Sequence, residues 1–287
     1  MGKRKTASAE QKTGSAGRKS APAEQDIKRQ ETADDAGEKI DFIIAELERL
    51  YPDTACTLVY RTPLQLLIST RLSAQCTDAR VNMVTPALFA KYPDCRAFAE
   101  ADIHELEEMI KSTGFFRAKA RNIIDCANML LEKHGGEVPR TMEELVALPG
   151  VGRKTANLIL GDAFGRPSYV VDTHCIRLTN RLGLTASRDP VRIEADLRRL
   201  LPPSKSTLFC HRLVDHGRSV CKAQKPLCGE CGLRLSCAFY RAGTDSSAGT
   251  DSSAGTDSSA KTDGPAKTDG PAKADRLTKT KLREDSE

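Results

Sequence analysis

Three groups of residues in this chain have the types and the spacing to do chemistry. They are Lys154 behind a pair of glycines, Asp172 further along, and four cysteines packed between 221 and 237. The run from Leu148 to Ala156, Leu-Pro-Gly-Val-Gly-Arg-Lys-Thr-Ala, reads as one helix ending, a tight turn, and a second helix beginning. Glycine supplies the positive φ that such a turn needs. It also lets a phosphate approach the backbone, where the first N–H groups of the new helix have no intrahelical partner. Gly150, Val151, Gly152 and Arg153 are therefore candidates for a helix–hairpin–helix that grips a nucleic-acid backbone without reading its sequence. Lys154 falls in the first helical turn, where the positive end of the helix dipole favours the neutral amine, the form that attacks carbon. Its bland alternative is a solvated surface lysine. Asp172 stands before a helical stretch and would make a good N-cap. Its carboxylate could also stabilise cationic character on a sugar or accept a proton. His174 beside it could cap or contact an anion and is assigned no chemistry.

The cysteines follow the pattern Cys221-x6-Cys228-x2-Cys231-x5-Cys237. Four thiols this close point to a metal. Zinc sites more often show two Cys-x2–4-Cys pairs. A single close pair with longer arms favours a loop wrapped around a larger iron–sulfur cube, with zinc left open by spacing alone. Arg218, Lys222, Lys225 and Arg234 lie among these ligands and could offset a negative cluster or meet phosphate. The other cysteines, at 56, 76, 95, 126, 175 and 210, are scattered and read as small apolar residues.

The elements that must position these groups are helical. Ile40, Ile43, Ile44, Leu47 and Leu50 follow the i, i+3, i+4 spacing. Pro63 opens a segment with Leu66, Leu67 and Ile68. Further helical stretches are expected at Ala79–Phe89, Ile103–Lys111, Ala118–Lys133, Met142–Leu148, Thr155–Ala163, His174–Leu182, Pro190–Leu200 and Lys205–Gly217. Short Gly- or Pro-bearing connections join them. The one strand-like piece, Ser168–Val171, is too short to seed a sheet, so the expected class is all-α. Hydrophobic residues make up 39% and aromatics 5%, with no Trp, which suits an aliphatic helical core.

Residues 1–36 and 241–287 are expected to be disordered, the latter because three Gly-Thr-Asp-Ser-Ser-Ala units and two Lys-Thr-Asp-Gly-Pro-Ala units hold nothing to bury. Residues 1–38 carry eight basic against seven acidic side chains, and residues 241–287 eight against nine. The tails cancel, and the net charge of +5 belongs to the middle, which suits an anionic partner. No apolar run approaches the roughly 20 residues of a membrane span, and the N-terminus lacks the apolar region of a secretory signal. The expected compartment is the cytoplasm, with no membrane contact.

Together, Leu148–Asn157, Val171-Asp-Thr-His174 and the cysteine run resemble bacterial endonuclease III in order and spacing. Leu72-Ser-Ala-Gln-Cys-Thr-Asp78 and Gly135-Gly-Glu-Val-Pro139 look like further segments of that family, and the resemblance covers about 40–240. It implies two helical domains with a DNA cleft between them: a six-helix domain at 56–166 carrying the hairpin, and an iron–sulfur domain combining 37–55 with 167–240. It implies a monomeric glycosylase and abasic-site lyase acting on oxidised pyrimidines and abasic sites in duplex DNA. A [4Fe–4S] cluster would sit on Cys221, Cys228, Cys231 and Cys237. Lys154 would attack C1′ and form a Schiff base, and Asp172 would assist. Gln75 would fill the gap left by the flipped base, and Phe115 would wedge into the stack.

Phe115-Phe116 departs from the family's frequent Leu-Tyr pair. Arg71 stands where an aliphatic residue is expected, and would either reach the cleft and bind phosphate or pair with an acid. An adenine-mismatch glycosylase would lack the lysine at 154 and carry a further C-terminal domain. A non-catalytic DNA-binding protein would have no need of both Lys154 and Asp172.

Because the tails are nearly neutral, removing 1–36 and 241–287 should leave DNA affinity almost unchanged, with binding strongly salt-dependent in both forms. Titrations of full-length and trimmed protein at several salt concentrations check this; a large loss on trimming would place the electrostatics in the tails.

Overall fold

In the computed structural model, residues 37–247 are described, with side chains through 243. The expectations for 1–36 and for the repeats beyond 247 lie outside the described residues. Among the described residues there are helices and no strand. In chain order they are α1 (37–50), α2 (Pro63–Leu72), α3 (Asp78–Lys91), α4 (Cys95–Ala99), α5 (Ile103–Ile110), α6 (Phe116–His134), α7 (Met142–Ala147), α8 (Arg153–Leu158), α9 (Thr173–Leu182), α10 (Pro190–Leu200), α11 (Ser206–Ser219) and α12 (Ala238–Ser247). A π-helical turn, Ile159–Ala163, continues α8.

Most helices begin where a short polar side chain takes up an orphan N–H. Thr62, Thr77, Asp94, Asp102, Thr141, Asp172 and Asp189 each accept a backbone hydrogen bond at the start of α2, α3, α4, α5, α7, α9 and α10. α6, α8 and α11 have no side-chain cap. α6 ends on Gly135 and α9 on Gly183, both left-handed, as helix stops favour.

The apolar faces close two separate hydrophobic clusters. One spans Leu58 to Leu160 and includes Leu66, Leu67, Leu72, Leu88, Ile123 and Leu130. The other joins the α1 stripe, Ile40, Ile43, Ile44 and Leu47, to Tyr169, Leu178, Ile193, Leu197, Phe209, Leu213 and Leu233. The chain therefore leaves the second cluster after α1, completes the first, and returns. Tyr51 ends α1 with its hydroxyl 2.9 Å from His216 Nδ1 and 2.9 Å from Ser219 Oγ, anchoring α1 to α11.

Two elements differ from the expectation for physical causes, and the piece expected to seed no sheet seeds none. α4 was not expected: five residues carry no readable period, and Asp94 caps it locally while Phe98 and Cys95 bury its inner face. α12 runs past the expected boundary at 240 to Ser247, growing from the cysteine loop, with the Arg181 guanidinium 4.8 Å from the Phe239 ring centroid. Ser168–Val171 forms no strand. Its backbone finds side-chain acceptors instead, Ser168 N–H donating to Ser206 Oγ (3.1 Å) and Tyr169 N–H to Asn157 Oδ1 (3.1 Å).

A buried carboxylate connects the two clusters. Glu194 on α10 is 3% exposed and accepts from Arg153 Nε (2.6 Å) and Nη2 (2.9 Å), from Arg198 Nη2 (2.9 Å) and from Asn157 Nδ2 (3.1 Å). Burial pushes its pKa up, but hydrogen bonds from Arg153, Arg198 and Asn157, with the charge of Arg153, outweigh that and hold it below the ordinary 4.5.

Glu194→Gln should therefore destabilise the protein. Both arginines stay about half in water, so the loss should fall short of the roughly 3–5 kcal/mol of a fully buried pair, at about 1–3 kcal/mol. A carboxylate depressed in the folded state stabilises above its unfolded pKa and loses that contribution as pH falls through its folded value. The gap between wild type and variant in urea denaturation should stay constant from neutral pH down to about 5 and close below about 4.5. A gap that widens on acidification would contradict this.

Candidate active site

Between the two clusters lies a cleft of about 430 Å³. One wall carries Gln75 from the α2–α3 loop and Lys154 from the first turn of α8; the other carries Asp172 and His174 at the start of α9. Three segments far apart in sequence thus meet at one space. Lys154 is exposed. Asp172 is half-buried, and its Oδ1 accepts from Cys175 N–H at 2.7 Å. It is therefore an N-cap and a cleft residue at once, with Oδ2 left for other work.

His174 sits among the charges of this site. Burial lowers its pKa, Asp172 pulls it back up, and Arg177, Arg218 and Lys154 push it down again, for a net fall below 6.5. Neutral His174 fits its geometry: Arg177 Nη2 lies 3.2 Å from Nδ1, and a guanidinium only donates, so Nδ1 accepts and Nε2 carries the proton. Arg177 also donates to Gly217 O (3.2 Å) and Cys221 O (3.1 Å). Through these bonds the floor of the cleft is tied to the cysteine loop. Arg218 on α11 reaches across to Asp78 on α3 at 3.6 Å.

His211, also in the cleft wall, pairs with Asp162 at 2.9 Å. The sequence reading missed His211, Asp78 and Asp215 as cleft residues; each lies within or at the start of an ordinary amphipathic helix, with no local signal to mark it. Cys56 and Cys76, read as small apolar residues, are half-buried and line the cleft.

The hairpin residues do not line this cleft with Lys154. Gly150 takes φ +68, as the turn requires, and a Cβ there would also collide with the Arg71 guanidinium. Gly152 is exposed, has open space around it, and starts α8 without a cap. Val151 is 5% exposed and packs into the first cluster, so its side chain is core and its backbone alone faces the turn. Arg153 pairs with Glu194 while about half of its side chain stays in water. Arg71 neither reaches the cleft nor pairs with an acid. It is 8% exposed behind the hairpin, its Nε and Nη1 have no hydrogen-bond partner, and burial lowers its pKa.

Of the two aromatics at 115–116, Phe115 is 67% exposed and Phe116 packs on the first cluster. Gln75 and Phe115 share an unusual backbone. Both hold left-handed φ values, +54 and +50, at positions that are not glycine, a conformation that costs energy and gathers at functional sites.

The four cysteines at 221, 228, 231 and 237 are free thiols that line one pocket, walled by Leu227, Phe239 and Tyr240. Arg181 Nη1 lies 3.3 Å from Cys221 Sγ, and His216 Nε2 lies 3.4 Å from Cys231 Sγ. Among the described residues no three His, Cys, Asp or Glu side chains converge closely enough for a single ion. Burial raises the Cys228 and Cys231 thiols, and the neighbouring cysteines add to the rise. Four thiolates can share such a pocket only around a cationic centre. All-sulfur donors suit a soft metal centre, zinc or iron–sulfur.

A family model described as "HhH-GPD superfamily base excision DNA repair protein" matches residues 68–203. The chain is 56% identical over 196 residues to endonuclease III of Synechocystis sp., covering 68% of this chain and 90% of that protein. It is 44% identical over 200 residues to endonuclease III of Bacillus subtilis, covering 69% and 91%. Among solved structures it is similar to a trapped endonuclease III–DNA covalent intermediate, with 42% identity, a TM-score of 0.68, and 72% and 98% of the two chains covered.

The purified protein should be brown and contain iron and acid-labile sulfide, and Cys231→Ser should lose both. Elemental analysis with visible absorption checks this. A colourless, folded and active preparation holding one tightly bound zinc would exclude the cluster.

Proposed function

This chain belongs to the endonuclease III family of the HhH-GPD superfamily of base excision DNA repair proteins, and we propose that Lys154 and Asp172 carry its chemistry on oxidised pyrimidines. It is a bifunctional DNA glycosylase and abasic-site lyase. The observation that supports the residue assignment is the meeting of Lys154, Asp172 and Gln75 at one cleft between the two hydrophobic clusters.

The damaged nucleotide leaves the stack and enters the cleft, at a cost of a few kcal/mol that damage reduces. Lys154 Nζ attacks C1′. The glycosidic C–N bond breaks, and its electron pair leaves with the base, which takes up a proton. Asp172 stabilises the cationic character that develops on the sugar and accepts a proton from the attacking amine. The sugar ring opens to a protonated Schiff base between Lys154 and C1′. Loss of a proton from C2′ then expels the 3′ phosphate by β-elimination, and water releases the amine. Gln75 occupies the space vacated in the duplex, and Phe115 enters the stack.

The backbone turn at Gly150–Gly152 and the uncapped start of α8 supply N–H donors for phosphate. Arg153, held by Glu194, orients that helix rather than adding a free cation. Cys221, Cys228, Cys231 and Cys237 would hold a [4Fe–4S] cluster, which would supply structural and electrostatic support to this loop and no bond-breaking chemistry. Arg177 and Arg181 connect its loop to α9. The two-domain division, 56–166 and 37–55 plus 167–240, is supported by the separate hydrophobic clusters.

Lys154→Ala should abolish strand cleavage and borohydride trapping while binding to an abasic analogue persists. Asp172→Asn keeps an N-cap acceptor but loses the charge, so base excision should fall by about 10²-fold or more, with a smaller effect on a preformed abasic site. Single-turnover kinetics on thymine glycol and abasic duplexes, with circular dichroism for folding, check both. A folded Lys154→Ala protein cutting at the wild-type rate would overturn the mechanism.

A further inference from the structure

Gln75 and Phe115 lie on different loops, one after α2 and one before α6. Both loops are held in left-handed conformations that their residue types resist. Each loop has its own local bonds, Ser73 Oγ–H donating to Thr70 O and Thr113 Oγ1–H to Ile110 O, both at 2.8 Å, but these do not join one loop to the other, and α6 starts at Phe115 with no capping bond. Something else must hold the two strained turns in register.

The connecting group is the ammonium of Lys119, in the first turns of α6. Its side chain is almost out of water, with the residue 7% exposed. Nζ donates to the carbonyl of Leu72, the last residue of α2, at 2.8 Å, and to the carbonyl of Thr113 at 2.8 Å. Leu72 stands just before the Gln75 loop and Thr113 just before Phe115. The Lys119 backbone N–H completes the clamp by donating to Phe115 O at 3.1 Å. Among the described residues no carboxylate pairs with it. Burial lowers the ammonium's pKa, and the nearby Cys76, on the Gln75 loop itself, opposes that fall.

A buried cation spent on two carbonyls is a costly way to tie loops that would each accept a neutral donor. What a charge with several donors adds is strength and a fixed distance between its two acceptors.

We infer that Lys119 is a positioning residue that sets Gln75 and Phe115 at a fixed separation, so that the two enter the duplex as one unit during base extrusion. This rests on the reading of Gln75 and Phe115 given above. Lys119 does not line the cleft and takes no part in bond-making. Its removal should slow extrusion and leave chemistry on an already extrahelical site nearly intact.

The test uses the full-length protein and a thymine glycol duplex with 2-aminopurine beside the lesion, whose fluorescence rises when the damaged nucleotide leaves the stack. Lys119→Met should cut the extrusion rate about tenfold or more, as misplacement of a positioning group does, while single-turnover β-elimination on a preformed abasic site stays close to wild type. In Phe115→Ala or Gln75→Ala protein, adding Lys119→Met should cost little further, since one of the two tied residues is gone. Lys119→Arg, which keeps charge and donors, should recover part of the rate. If Lys119→Met does not fold by circular dichroism, Lys119→Gln, with an amide for one carbonyl, replaces it under the same criteria. Equal loss on both substrates, or losses that simply add, would make Lys119 a plain packing residue and overturn the inference. Single Gln75→Ala and Phe115→Ala proteins that extrude normally would instead overturn the reading on which it rests.

Discussion

The geometry of the site depends on one buried carboxylate. Glu194 belongs to the helix that packs into the second cluster, yet the groups it binds, Arg153 and Asn157, belong to the helix that carries Lys154. Asn157 passes the constraint on, because its carbonyl oxygen accepts from Tyr169 N–H just ahead of Asp172. Lysine and aspartate sit on opposite walls of a cleft, so nothing local fixes their separation. The chain Glu194–Asn157–Tyr169 does so through two directional contacts in a place where water does not compete.

The helices differ in how their first N–H groups are satisfied. Seven begin on a Thr or Asp whose side chain accepts from its own backbone, as at Thr62, Asp102 and Asp189, and Asp172 of the cleft is one of these caps. α8 begins instead on Gly152, and α6 on a left-handed Phe115, neither with a side-chain cap. These are also the points read as touching phosphate and base stack. Departures from local consistency are expected where function sets the terms. In the proposed reading, the missing cap at α8 leaves N–H groups for phosphate, and the left-handed Phe115 is the residue that enters the stack.

Much of this could be read in the sequence. The periodicity of Ile40, Ile43, Ile44 and Leu47 marked a buried stripe, and Pro-Gly-Val-Gly marked the turn, because helix faces and positive φ are local properties. Asp172 was legible both as cap and as candidate acid. What stayed hidden depends on partners distant in the chain. Arg153 looked like a phosphate ligand because nothing near it announces Glu194. Val151 looked like part of a contact surface, yet the turn directs its side chain inward. Arg71 offered two roles and adopted neither, since its position behind Gly150 is set by the packing of α2 against the hairpin. Nothing in the local sequence marks Lys119, whose ammonium is buried between two carbonyls. α4 is too short for any period to show.

The excursion of the chain between its two hydrophobic clusters has a consequence for biosynthesis. α1 is the first of the described helices to be made, yet its partners extend to Leu233. The cluster from Leu58 to Leu160 can close while the ribosome is still working. The stripe on α1 must wait for the chain that follows, roughly 10–40 s at bacterial rates of about 5–20 residues per second. From the synthesis of Leu160 until that of Leu233, the nascent protein can hold a finished first core beside an unpaired apolar helix at its leading end. That helix is the segment on which a chaperone would have most to do, and its docking is the step that commits the newly made chain to its final form.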